Sequence, residues 1–131
     1  GSRLPASATA AAIPAFFMTF NLLLLNEFPD ETTDRTGGRR HLIILLGRRR
    51  AALVYAAAAL LTPLSILIAV AASVLPAISL VAAAPSLFLA PPLRWAFRSA
   101  AEPVPIGAMA ANVVWNLLTN IAMSASLVIA A

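Results

Sequence analysis

The sequence predicts an all-α integral membrane bundle of four transmembrane helices joined by a short interfacial segment, and three observations carry that expectation. Of 131 residues, 61% are hydrophobic and 11% charged, well above the roughly 45–50% apolar share of ordinary globular domains. The apolar residues fall in four long runs, at about residues 6–25, 48–72, 77–97 and 106–131. Each is close to the roughly 20 residues that a helix needs to cross about 30 Å of hydrocarbon. The charges gather between these runs and at their ends.

Taken in order, the first run is uncharged from Ala6 to Leu25, and Pro14 is expected to kink it; membrane helices tolerate such a break when neighbours satisfy the freed carbonyl. A charge-dense loop, residues 26–47, follows. Its apolar stretch Leu42 to Leu46 is too short to span and is assigned to the membrane interface or to packing against the bundle. The second helix starts at Arg48 and contains Pro63. Ser73 to Pro76 is the one break before the next apolar run and is read as a tight turn. The third helix contains Pro85, Pro91 and Pro92, each lacking a backbone donor and disfavouring the helical conformation before it, so the helix is expected to bend or break near Pro91. Arg94 to Pro105 returns to water, and Ile106 begins the fourth helix. Small residues let membrane helices approach closely, so Ala56 to Ala59 and Ala82 to Ala84 are expected to be packing faces.

Charge and composition exclude several classes. The net charge of +4 is carried by arginine alone, with no lysine, beside apolar segments; a nucleic-acid groove would spread basic residues over one surface. Cysteine is absent, which removes disulfides and thiolate metal sites. The start, Gly1-Ser2-Arg3, has neither an initiator Met nor a signal-peptide layout, as expected for a trimmed chain or a piece of a longer one. With four spans, the loop of residues 26–50 and the segment holding Arg94 and Arg98 fall on one side, leaving only Arg3 on the other. The positive-inside rule makes that side the cytoplasm, in a plasma (cytoplasmic) membrane. Trp95, between Arg94 and Arg98, is expected to be an interfacial aromatic anchor.

Asn26 to Arg40 reads N-E-F-P-D-E-T-T-D-R-T-G-G-R-R and holds Glu27, Asp30, Glu31 and Asp34, four of the chain's five acids. On a helical turn Asp30 and Asp34 share a face with Asn26 one turn back, and Pro29 suits a first turn. Two like charges at that spacing repel unless a cation sits between them, and an all-oxygen donor set points to Mg²⁺, shared with substrate phosphates. Arg39 and Arg40 follow as forked donors for those phosphates. The competing reading is a solvated loop whose ion pairs contribute little.

The same string resembles the second aspartate-rich motif of the UbiA-type intramembrane prenyltransferases. The nearest pattern is that of the menaquinone-pathway branch (1,4-dihydroxy-2-naphthoate polyprenyltransferase-like), N-x-x-x-D-x-x-x-D-x-x-x-G-K-x-T-L. Asn26, Asp30, Asp34, Gly38 and Leu42 match; Arg39 stands where lysine is usual and His41 where threonine is usual. The resemblance implies Mg²⁺-dependent transfer of a prenyl group from a polyprenyl diphosphate to an aromatic or other lipophilic acceptor. Asp30 and Asp34 would be the catalytic metal ligands, Asn26 a ligand or orienting amide, and Arg39 and Arg40 diphosphate contacts. Such enzymes have nine membrane helices and two aspartate-rich motifs, whereas outside the loop this chain has only Glu102. Residues 1–131 are therefore expected to be the C-terminal part of such an enzyme, inactive without an N-terminal half that carries the other motif. A CDP-alcohol phosphotransferase would also pair D-x-x-x-D with membrane helices but needs a D-G-x-x-A-R stretch that this chain lacks. A non-catalytic four-helix subunit with a charged docking loop is the other alternative.

Asn112, Asn116 and Asn120 recur every four residues in the fourth helix, with Ser124 continuing the line and Thr119 adjacent. Amides in a membrane span face the bundle interior, as substrate contacts or as interhelical bonds; Asn112 and Asn116 are taken as substrate-binding candidates. His41 is read as a loop histidine whose neighbouring arginines disfavour its protonation, and Tyr55 as either a cavity or an interfacial tyrosine.

Overall fold

A computed structural model describes residues 3–28 and 46–130, with side chains from residue 6 onward. Helix α1 spans Arg3–Glu27, α2 Arg48–Ala71, α3 Ala90–Arg98 and α4 Ile106–Ala130. A 3-10 helix, Ala77–Leu89, runs directly into α3. With that pair counted as one span, four segments are long and apolar enough to cross a membrane: Ala6–Glu27, Arg48–Ala71, Ala77–Arg98 and Ile106–Ala130. The all-α membrane bundle is thus borne out. No strand occurs among the described residues.

The most extensive packing is of α4 on the 3-10 helix and of α1 on α2. Helix α1 buries Ala10, Pro14, Met18, Asn21 and Leu25, a stripe at the three- and four-residue spacing of one helix face. Pro14 lies in this packed stripe and α1 continues through it. Helix α2 meets its neighbours through small residues, burying Ala51, Ala52, Ala56, Ala58 and Ala59 while Ala57 faces out. The alanine run is therefore a packing face only where the helical period turns it inward. Beside Pro63 the Thr62 hydroxyl donates to the Ala58 carbonyl at 2.9 Å and Ser65 donates to the Thr62 carbonyl at 2.7 Å, local bonds that satisfy side-chain hydroxyls where water is absent.

The expected turn is present. Ser73 adopts φ 61°, and the amides of Val74 and Leu75 both return to the Ala69 carbonyl, at 2.9 and 3.1 Å. The Ser7 hydroxyl donates to the Val74 carbonyl at 3.1 Å, which ties the start of α1 to this end of the bundle. The expected bend or break near Pro91 is a change from 3-10 to α-helix at Leu89 and Ala90, which leaves Pro91 and Pro92 in the first turn of α3. A missing N–H costs nothing there. Thirteen residues of 3-10 helix are unusual, since such runs rarely exceed about 3–4 residues. The outer face is apolar, with Phe16, Leu23, Leu87, Ile106 and Val128 all more than half exposed, as a lipid-facing surface requires.

Trp95 is not an interfacial anchor. It is 2% exposed, its ring meets Phe28 edge-on with centroids 4.7 Å apart, and its indole N–H donates to the Glu102 carbonyl at 3.0 Å. The buried partner for the N–H explains the difference, because an anchor keeps that group in the headgroup layer.

Candidate functional site

The charged loop begins and ends at one place. Phe28 closes α1, its amide donating to the Leu25 carbonyl at 3.3 Å, and Gly47 precedes α2 with φ +85°, a left-handed conformation that glycine adopts without a Cβ penalty. Arg48 joins the two flanks. Its guanidinium carbon lies 5.1 Å from the Phe28 ring centroid, and Nη1 approaches the Phe28 carbonyl at 3.5 Å.

The same side chain reaches the loop between α3 and α4. Arg48 Nε donates to the Ala100 carbonyl at 2.9 Å and Nη2 to the Glu102 carbonyl at 2.8 Å. This loop is further fixed by Ser99 N–H to the Trp95 carbonyl, 2.8 Å, and Glu102 N–H to the Ser99 carbonyl, 2.9 Å. Arg94 to Arg98 thus stay in α3, and the loop that follows, residues 99–105, is a shaped cap over the bundle end, not chain trailing into water. The rigid, five-donor geometry of arginine suits the task, since a lysine cannot bridge divergent carbonyls in the same way. It also puts the Arg48–Arg50 cluster and the α3–α4 loop at one end of the molecule, the arrangement that the arginine distribution predicts.

Below this cap lies a polar layer. Tyr55 and Asn112 are both fully buried, and the Tyr55 hydroxyl donates to Asn112 Oδ1 at 2.6 Å, joining α2 to α4. Asn116 Nδ2 donates to the Met18 carbonyl of α1 at 3.3 Å, and Asn116 Oδ1 accepts from Asn120 Nδ2 at 2.8 Å. Asn21, on α1 one turn beyond Met18, is fully buried, and neither end of its amide has a partner among the described residues. The amide nitrogen of Asn112, the indole nitrogen of Trp115 and the hydroxyl of Thr119 are likewise buried and unpartnered. Such groups cost about 1–3 kcal/mol each when desolvated.

The line of amides on α4 is not one buried face. Asn112 is buried, Asn116 half-buried, and Asn120 and Ser124 exposed, because each four-residue step overshoots a full turn by about 40°. The buried stripe instead runs through Ala108, Asn112, Trp115, Thr119, Met123 and Ser126. At its far end Ser126 donates to the Met123 carbonyl and pairs with the Ser79 hydroxyl, both at 2.8 Å.

Asn26 is exposed on the last turn of α1, at the mouth of the charged loop. Asp30, Asp34, Arg39, Arg40, His41 and the interfacial stretch at 42–45 lie outside the described residues. Among the described residues no three His, Cys, Asp or Glu side chains come together to hold a metal ion. Sequence reasoning missed Asn21, which has the same signal as Asn112, an amide inside an apolar span. It also missed Arg48 as the clamp; an arginine opening a span beside two other arginines reads only as interfacial charge.

A family model described as the UbiA prenyltransferase family matches residues 1–104. No curated protein and no solved structure was found to match the chain.

Proposed function

The chain belongs to the UbiA prenyltransferase family, and on that premise we propose that it supplies the second aspartate-rich half of a Mg²⁺-dependent site. There a prenyl group passes from a polyprenyl diphosphate to an aromatic acceptor of the kind used by the menaquinone branch. The observation that carries the reading is the Arg48 clamp, which gathers both flanks of the Asn26 to Arg40 motif at the arginine-rich end of the bundle. The two described flanks, Phe28 and Arg48, thereby meet at the end of the bundle, and the reading puts the diphosphate at that end, against the apolar interior.

The donor set fits the ion. Asp30 and Asp34 offer carboxylates and Asn26 an amide oxygen presented to solvent at the end of α1, and Mg²⁺ favours oxygen ligands of this kind. When bound, the ion offsets negative charge that grows on the diphosphate as the allylic C–O bond breaks. Arg39 and Arg40 donate forked hydrogen bonds to the departing diphosphate oxygens. The apolar helix walls keep water from the allylic carbon, so that the acceptor forms the new bond and releases a proton. Of the two amides on α4, Asn112 is assigned to the acceptor side because its nitrogen is an unused buried donor, whereas both ends of the Asn116 amide are engaged. The first aspartate-rich motif comes from a partner half, at the cytoplasmic face, and residues 1–131 alone are inactive.

The test is Mg²⁺-dependent prenyl transfer by the complete enzyme carrying Asp30→Asn or Asp34→Asn. Loss of activity by about 100-fold or more at unchanged membrane expression is expected, the scale of removing a group that stabilises charge in the transition state. Retained transfer would refute the assignment. Transfer by residues 1–131 alone would refute the need for a partner half.

A further inference from the structure

We propose that the cleft between the end of α3 and the start of α4 binds the headgroup of a zwitterionic aminophospholipid, Arg94 and Ser99 taking the phosphate and Glu102 the ammonium. The cleft has a volume of about 420 Å³; Arg94, Ser99 and Glu102 are its polar lining, and Pro91, Trp95 and Ala108 belong to its apolar wall.

Depth is the first argument. The third span ends at Arg98 and the fourth begins at Ile106, so the cleft opens where hydrocarbon gives way to headgroups. Ile106 and Phe97 are exposed beside it, at 86% and 58%, as residues in contact with acyl chains would be. Charge is the second. Arg94 and Glu102 are both exposed, they line the same cleft, and among the described residues neither head group forms an ion pair or hydrogen bond. A lone arginine would favour any phosphate. The carboxylate beside it penalises a purely anionic headgroup and favours one that brings its own primary ammonium, which donates hydrogen bonds that a quaternary amine cannot. Preorganisation is the third argument. The Glu102 backbone is held by Trp95, Arg48 and Ser99, so binding does not have to order the loop.

The test is native mass spectrometry of the purified chain in detergent with dioleoyl phosphatidylethanolamine, phosphatidylglycerol and phosphatidylcholine, which share acyl chains and differ in headgroup. An exposed ion pair is worth up to about 1 kcal/mol, so phosphatidylethanolamine should bind about threefold to fivefold more tightly than either of the others. Glu102→Gln should erase the preference over phosphatidylglycerol, and Arg94→Gln should weaken both. Arg49→Gln, an exposed change outside the cleft, should alter neither. Equal binding of phosphatidylethanolamine and phosphatidylglycerol, or a preference that survives Glu102→Gln, overturns the proposal. So does displacement of the lipid by farnesyl diphosphate, which would assign the cleft to the prenyl donor.

Discussion

Replacing Arg48 with methionine keeps most of the apolar stem and removes the group that holds three segments together. Two of its hydrogen bonds are short, 2.9 Å to Ala100 and 2.8 Å to Glu102. At the lower end for a charged donor, about 1.5 kcal/mol each, they amount to about 3 kcal/mol. The Phe28 ring at 5.1 Å adds about 0.5–1 kcal/mol, and the 3.5 Å approach to the Phe28 carbonyl is too long to count. Water reaches part of this site and re-solvates the freed carbonyls, so the expected loss is about 2–3 kcal/mol. The assay is denaturant unfolding in mild detergent on a Trp115→Phe background. Trp95, packed on Phe28 and bonded to Glu102, then reports directly on the cap. Arg48→Lys should recover only part of the loss, since a point charge reaches one carbonyl where the fork reaches two. If Arg48→Met unfolds within about 0.5 kcal/mol of the parent, the typical effect of an uninvolved surface change, and Trp95 emission is unmoved, the clamp has been misread.

The polar groups inside the bundle give three further tests. Tyr55→Phe strands Asn112 Oδ1 inside the bundle and should destabilise by about 1–2 kcal/mol, and adding Asn112→Leu should return part of it; a double-mutant cycle in the same unfolding assay measures the coupling. Asn21→Leu removes a buried amide with no partner among the described residues and should stabilise by about 1 kcal/mol or more; a clear loss of stability would mean that the amide is satisfied in the folded protein. Ser79→Ala, which breaks the pair with Ser126, should cost about 0.6 kcal/mol, the average for a hydrogen bond between membrane helices, read as a small shift of the unfolding midpoint. At the start of α2, Gly47→Ala places a Cβ on a residue at φ 85°, ψ 158° and should cost about 1–3 kcal/mol through backbone strain alone.

How much of this was legible beforehand depended on the physics behind each signal. Span number and approximate limits followed from the length of the uncharged runs, because crossing hydrocarbon admits few alternatives. The tight turn at Ser73 to Pro76 followed from the lack of any other break. The prolines were harder to read. Pro14 and Pro63 sit inside continuous helices, and near Pro91, where a bend or break was expected, the break is a change of helix type that puts Pro91 and Pro92 in a first turn. A proline's effect depends on whether neighbours fill the space and satisfy the carbonyl that it leaves free.

The sequence by itself determined the all-α membrane class and the shared end for the arginine clusters, which rest on composition and span length, and it carried the family through the resemblance of the Asn26 to Arg40 string to a known motif. Only the tertiary structure decided which polar residues meet. It put Trp95 under the cap, paired Tyr55 with Asn112 across a 57-residue separation, turned Asn120 outward and made Arg48 a three-way clamp. Each of those outcomes depends on the rotation of one helix against another. Helical period limits the faces on offer, and the neighbour that each face meets is fixed only when the bundle closes.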